Sequence, residues 1–299
     1  MKAEPACIPC VLHDVFCTGR LATKNVKMQM AILKEASRVV AEKASGAVTP
    51  SQLSTYAYRV VKRLTGISDP YRKIKRASNS VALKAAKPVE RELMKTRNPE
   101  ERFRRCVLYA IAGNVMDYGV RGHEFKVSAD LKKRLEKAVN QGLAADDVSK
   151  IFRKIRSSKN VLYLLDNNGE AVFDALLIRE IKRYGLRVAA VVRGGPVSND
   201  VTMAEVSQIG LDRVADEVIT TGSDAYGIEF AMASRKLMKM LKTCDLTISK
   251  GQANYEDLNE IEDNISGSIA YLLKAKCEPM ARTMTVKIGE NIAKLVAKC

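Results

Sequence analysis

Histidine is almost missing from this chain: His13 and His123 are the only two. A zinc centre or a Ser-His-Asp triad built on imidazole is therefore poorly supplied, and a metal site is expected to draw on Asp, Asn and Glu. No stretch approaches the roughly 18 apolar residues of a membrane span. The opening Met1-Lys2-Ala3-Glu4-Pro5 lacks the apolar run of a secretory signal. The cysteine count of 7 is odd and scattered, which argues against a disulfide framework and for a reducing compartment. The expected location is the cytoplasm. A G-x-x-x-x-G-K-[ST] loop is absent, and Gly194-Gly195 lacks the spacing of a G-x-G-x-x-G turn, so P-loop and dinucleotide chemistry are both disfavoured. No internal repeat or low-complexity segment stands out.

What is present is a globular chain of 299 residues, 46% hydrophobic, long enough for two domains. Its formal charge of +16 suits a polyanion or small phosphorylated molecules, or simply a solvated Lys/Arg surface. Near the N-terminus stands Cys7-Ile8-Pro9-Cys10. Thiols at this spacing can share a metal or form a redox pair, and buried free thiols are the plainer reading. No second C-x-x-C follows; whether Cys277 approaches this pair in space is left open.

Helical patterns fill residues 1–157. Helices are expected from Asn25 to about Lys43, from near Ser51, and from Asp69-Pro70-Tyr71, where Asp is read as N-cap and Pro as first turn. Two basic runs follow, one with Lys73, Lys75, Arg76, Lys84 and Lys87, the other with Arg102, Arg104 and Arg105; neither interleaves aromatics, and both read as solvated faces. Gly113-Asn114 then interrupts a helix, and Asp117 follows at a spacing that lets it share a helix face with Asn114.

From Lys159 the rhythm becomes strand, polar loop, helix. Strands are expected at Val161–Leu165, Arg187–Val192, Glu217–Thr220 and Leu246–Ser249, with helices at Ala171–Tyr184, Met203–Ile209 and a long Ala225–Lys242. A further helix, a strand near Thr283–Ile288 and a short helical tail are expected to close the chain. Alternation of this kind implies a mostly parallel sheet with helices on both faces. The fold expected is α/β: an all-helical domain over 1–157 and a three-layer α/β/α domain over 158–299.

Four strands thus end in polar loops, and in a parallel sheet those ends share one edge, where open α/β sheets bind ligands. Asp166, Asn167, Asn199, Asp200, Ser223, Asp224, Lys250 and Asn254 can converge there. Two acids and an amide are hard oxygen donors for a divalent cation. Lys250 can offset phosphoryl charge, and Gly251 can bring backbone N–H groups to an anion. Asn168 stands where an aspartyl-phosphate enzyme would want a second acid, so attack by metal-activated water is expected rather than a covalent intermediate.

These motifs resemble the DUF89 family of damage-control phosphatases, in its archaeal branch with an N-terminal C-x-x-C. The likeness runs nearly end to end: Cys7-x-x-Cys10, Asp69-Pro70-Tyr71, Gly113-Asn114-x-x-Asp117, Asp166-Asn167-x-Gly169-Glu170, Asn199-Asp200-Val201-Thr202, Lys250-Gly251-Gln252-Ala253-Asn254-Tyr255-Glu256 and Lys276-Cys277-x-Pro279. The resemblance implies a Mn²⁺-, Ni²⁺-, Co²⁺- or Mg²⁺-dependent phosphatase acting on small, often damaged, phosphometabolites. It implies metal binding by Asp166, Asn167 and Asp200, and a phosphate pocket lined by Asn114, Asp117, Lys250 and Asn254. Asp200 or Asp117 would accept the water's proton. The rival readings are a basic nucleic-acid-binding protein and a metal- or redox-linked regulator acting through Cys7 and Cys10.

Overall fold

The computed structural model describes residues 1–116 and 130–298. In chain order the helices are α1 (Cys7–Ala22), α2 (Val26–Lys43), α3 (Pro50–Thr65), α4 (Arg72–Lys95), α5 (Pro99–Ala112), α6 (Asp130–Asn140), α7 (Val148–Ser157), α8 (Glu170–Lys182), α9 (Val206–Ile209), α10 (Leu211–Val214), α11 (Arg235–Leu241), α12 (Gln252–Leu258) and α13 (Glu278–Met284). The strands are β1 (Ala145–Asp146), β2 (Asn160–Leu164), β3 (Arg187–Val192), β4 (Glu217–Thr220), β5 (Leu246–Lys250), β6 (Ser268–Lys274) and β7 (Asn291–Val296).

Local chemistry starts several of these elements where the sequence implies. Asn25 caps α2 by accepting from Met28 N at 3.2 Å. Thr49 and Gln52 form a capping box around Pro50 at the start of α3. Asp69 acts earlier than a cap: its carboxylate accepts from Tyr71 N at 3.1 Å, and the helix begins at Arg72.

The sheet order is β1-β7-β6-β5-β2-β3-β4. β2 pairs in parallel with β3 and β5, and among the described strands only the β6–β7 pairing is antiparallel. The chain runs from β2 outward through β3 and β4, then returns to the other side of β2 for β5. That reversal opens a crevice between the carboxyl ends of β2 and β5, the place where such sheets hold ligands. Side chains of β2 and of the residue after it alternate between two cores: Val161, Tyr163 and Leu165 pack with α5 and α8, while Leu162 and Leu164 pack with α11, α12 and α13. Helices thus cover both faces.

α1, α2 and α3 hold a small core of their own. α4, α5 and α7 instead share the large core with α8 and the sheet, and β1 joins the sheet itself. A boundary at 157 therefore falls inside a continuous core.

Three expected elements are replaced. No long helix spans 225–242; α11 covers Arg235–Leu241 after a single 3-10 turn at Phe230–Met232. The backbone there is claimed by distant side chains: Tyr226 N donates to Thr55 Oγ1 at 3.1 Å and Ile228 N to Asp257 Oδ2 at 2.8 Å. Ser268–Lys274 is a buried strand for which the sequence reading named no element, since a short apolar run has no period that separates strand from helix. The expected strand near Thr283–Ile288 and helical tail give way to α13 and β7, whose antiparallel pairing with β6 is a long-range contact.

Candidate active site

The loops after β2 and β3 are clamped by their own backbones. Val201 N donates to Asp166 O at 2.9 Å, Asn168 N to Asn199 O at 2.8 Å, and Asn167 pairs with Asp200 as an isolated antiparallel bridge. This sets Asp166 and Asp200 side by side at the crevice. Asn168 is a structural tie: its amide donates to Asn199 O and Asp200 O at 2.9 and 3.0 Å, and its oxygen accepts from Asn79 at 2.8 Å.

Arg193 lies between the two acids. Its Nε donates to Asp200 Oδ2 at 2.6 Å, and its Nη2 stands 3.5 Å from Asp166 Oδ1. Its Nη1 donates to Asn254 Oδ1 at 2.7 Å and Gly227 O at 3.0 Å. The Asn254 amide nitrogen in turn donates to Leu165 O and Lys250 O at 3.0 and 2.8 Å. Asn254 is thus a bracket joining the ends of β2 and β5 to the guanidinium, and its side chain is fully engaged.

Burial pushes the Asp166 carboxyl well above the ordinary carboxylate range, and the charges of Asp200 and Glu170 push it further; Lys276, then Arg193, oppose the rise. Formally, Asp166, Asp200, Glu170 and Asp174 face Arg193, Lys250 and Lys276, which leaves one excess negative charge. Arg193 Nη2 is buried without a hydrogen-bond partner, as is Asn199 Oδ1. Among the described residues no three His, Cys, Asp or Glu gather as a cage for an ion. The donor set here is different: two crowded carboxylates and the Asn167 amide, with Asn167 Nδ2 turned to Asp166 Oδ2 at 2.8 Å. Hard oxygen donors with excess negative charge fit a hard divalent cation.

Lys250 stands elsewhere than the sequence reading has it. It is fully buried, and its ammonium donates to Glu170 Oε1 at 2.5 Å, Asp174 Oδ1 at 2.8 Å and Ala110 O at 2.9 Å. Burial alone would lower its pKa, but the two carboxylates outweigh burial and raise it. The same burial holds Asp174 at about 6. Lys250 therefore locks β5 to α8 and to α5, with no proton left for a phosphoryl group. Asn114, on the turn after α5, donates to the other oxygen of Glu170 at 3.1 Å. Asp117 and His123 lie outside the described residues.

Gly251 also differs. Its N–H donates to Leu272 O at 3.2 Å and so belongs to the sheet rather than to an anion. Its need for glycine lies at the α-carbon, which faces the Asp166 carboxylate. Ser223 Oγ is buried without a partner, and Asp224 is drawn away by Arg59 and Lys62, at 2.8 and 2.5 Å. Cys7 and Cys10 start α1, outside this cluster.

Four residues escaped the sequence reading as site members: Arg193, Glu170, Asp174 and Lys276. A signal existed for three of them. Arg193 directly follows the apolar run of β3, and Glu170 and Asp174 are one helical turn apart just after Gly169. Lys276 stands in the Lys276-Cys277-x-Pro279 motif, but nothing in the sequence tied it to Asp166, because its approach depends on β6 lying beside β5.

The damage-control phosphatase ARMT1-like domain matches residues 3–292. A damage-control phosphatase of Archaeoglobus fulgidus is 36% identical over 296 residues, 99% of this chain and 100% of that one. Its counterpart in Pyrococcus horikoshii is 30% identical, over 97% of this chain and 96% of that protein. The crystal structure of a DUF89 family protein from Pyrococcus horikoshii superposes with a TM-score of 0.87 at 30% identity, covering 98% of both chains.

Proposed function

The chain belongs to the damage-control phosphatase ARMT1-like family, and from that premise we propose that it hydrolyses phosphate monoesters of small, including damaged, metabolites in a divalent-metal-dependent reaction. The observation that carries this reading is the Asp166–Asp200 pair, bridged by Arg193 at the sheet's crevice. Asp166, Asn167 and Asp200 would hold the cation. Bound there, a cation supplies Lewis-acid charge to a phosphoryl oxygen and lowers the pKa of a coordinated water.

The protein's own groups do the rest. Arg193 holds Asp200 in place, and its Nη2, buried without a hydrogen bond, stands 3.5 Å from Asp166 Oδ1. Lys276 adds positive charge near Asp166, where a phosphoryl group would need it. Lys250, Glu170 and Asn114 act as positioning residues that fix the floor of the site. The nucleic-acid reading loses much of its support, because the second basic run is paired internally: Arg102 with Glu180, Arg104 with Asp146 and Arg105 with Glu92 and Glu101. Lys75 of the first run is buried beside Asp69.

The test is phosphate release from sugar phosphates, nucleotides and phosphopantetheine by metal-stripped protein, with Mn²⁺, Ni²⁺, Co²⁺ or Mg²⁺ added back. Activity is expected to need metal and to vanish in Asp166→Ala while the circular dichroism spectrum stays native. Equal activity without metal, or in that variant, would overturn the assignment.

A further inference from the structure

α4 carries a charge pattern that hydrolysis of a small substrate does not use. Its 24 residues bury one face through Ser78, Ala82, Ala86, Val89 and Leu93. Asn79, on that inner side, donates to Asn168 Oδ1 at 2.8 Å and accepts from Gly169 N at 2.7 Å, so the inner face braces the active-site loop. Lys73, Arg76, Lys84, Lys87, Arg91 and Lys95 are all exposed. At 3.6 residues per turn these six fall within an arc of about 100°, opposite the buried face. At 1.5 Å per residue the row is roughly 33 Å long. Ser80 fills the turn between Arg76 and Lys84 that lacks a cation.

Internal pairing accounts for the second basic run and for Lys75, but it does not reach this row. The acids of α4 are Glu90 and Glu92, about 100° to either side of the row. Both are drawn sideways. Glu90 pairs with Arg179 of α8, and Glu92 accepts from Arg105 of α5 at 2.7 Å and from the Tyr109 hydroxyl at 3.1 Å. Among the described residues no carboxylate pairs with any of the six cations. Lys87, Arg91 and Lys95 succeed one another at i,i+4, where like charges repel. An anionic partner would remove that repulsion.

The residue types select the partner. A membrane surface calls for an apolar face beside the cations, and the row is flanked by Met94 alone, 67% exposed. A protein interface calls for aromatic or apolar anchors at its centre, where Lys is depleted. Single-stranded nucleic acid calls for aromatic side chains on which bases stack, and α4 contains no Phe, Tyr or Trp. A regular line of phosphates satisfies a straight row of cations without any of these. The length of the row is close to one turn of a B-form duplex, about 34–36 Å. We propose that the outer face of α4 docks on the phosphate backbone of duplex DNA, independently of base sequence. This is a second partner beside the small substrate, and it stands apart from the phosphatase reading.

The experiment measures binding of the full-length protein to a labelled duplex of about two turns, roughly 20 base pairs, by fluorescence anisotropy over a series of salt concentrations. Six phosphate contacts at about 0.9 each give an expected slope of log K against log salt of about −5. Lys84→Gln, Lys87→Gln and Arg91→Gln combined are expected to bring the slope to about −3 and to weaken binding at low salt by at least about tenfold. A control removes the same charge from α2, whose Lys27, Lys34 and Lys43 are also exposed. Lys27→Gln, Lys34→Gln and Lys43→Gln combined are expected to bind as the wild type does. Both variants should keep a native circular dichroism spectrum. Equal losses in the two variants would assign the binding to net charge and overturn the proposal. So would undetectable or salt-insensitive binding, tighter binding to the single strand, or displacement of the duplex by polyglutamate or phosphatidylserine vesicles at equal charge.

Discussion

The α-carbon of Gly251 rests against the Asp166 carboxylate, so that a β-carbon added there would stand 2.1 Å from Oδ2. Its φ of +77° and ψ of 167° also lie where side chains other than hydrogen are strained. Gly251→Ala must therefore move Asp166 or the end of β5. The expected outcome is loss of activity together with a stability loss of about 1–3 kcal/mol, read by phosphate release and urea unfolding.

Arg193 touches Asp200 through Nε, and Asn254 and Gly227 through Nη1. A lysine has one point of charge and cannot span them. Arg193→Lys is expected to lower turnover strongly and to cost about 2–4 kcal/mol of stability, since a buried carboxylate then lacks its partner. A variant with native kinetics and native unfolding would show that the guanidinium is dispensable.

Lys250→Met separates positioning from phosphate contact. Removing the ammonium leaves Glu170 and Asp174 buried without their cation, at an expected cost of about 3–5 kcal/mol. Thermal unfolding should report that loss. If the melting temperature held and KM for the phosphorylated substrate alone rose, Lys250 would be contacting substrate after all.

Metal should stabilise the folded state if Asp166, Asn167 and Asp200 are its ligands. Free cation at a hundred times its Kd is expected to add about 2.7 kcal/mol to the wild type. Asp166→Ala and Asp200→Ala should lose that gain, measured as the metal dependence of Tm with and without chelator.

Glu256 provides a pH test away from the proposed metal ligands. Burial, then the charge of Asp257, lift its pKa from an ordinary 4.5 to about 8, against hydrogen bonds from Gln252 and the Ser51 backbone and the charge of the N-terminal ammonium. The folded protein thus keeps a proton that the unfolded chain gives up. The sign follows: this contribution is fully present below about pH 4.5 and is lost as pH rises to about 8. Glu256→Gln is expected to flatten the decline of stability over that window and to be the more stable form at its alkaline end, which urea titrations at a series of pH values would show.

Much of the architecture was written locally. The apolar runs ending in Asp166 and Arg193, short and bounded by polar loops, read as buried parallel strands by their length and β-branched content. The caps at Asn25 and Thr49 fix helix starts through hydrogen bonds spanning three residues. The placement of Asp166 and Asp200 on one edge followed from parallel topology alone. The C-terminal 60 or so residues were less legible, since β6, α13 and β7 are chosen by pairing partners far away in sequence.

The sequence by itself determined the residue types at the site, the strand ends that carry them and the family to which the chain belongs. Only the tertiary structure decided their roles. Lys250 and Asn254 are polar residues at a ligand-binding edge in either view, and what they touch depends on Glu170, Asp174 and Arg193 arriving from other elements. A buried charge takes whichever partner packing delivers, and desolvation makes that choice costly to change. Spacing along the chain cannot contain that information, because the partners of Lys250 lie 76 and 80 residues away.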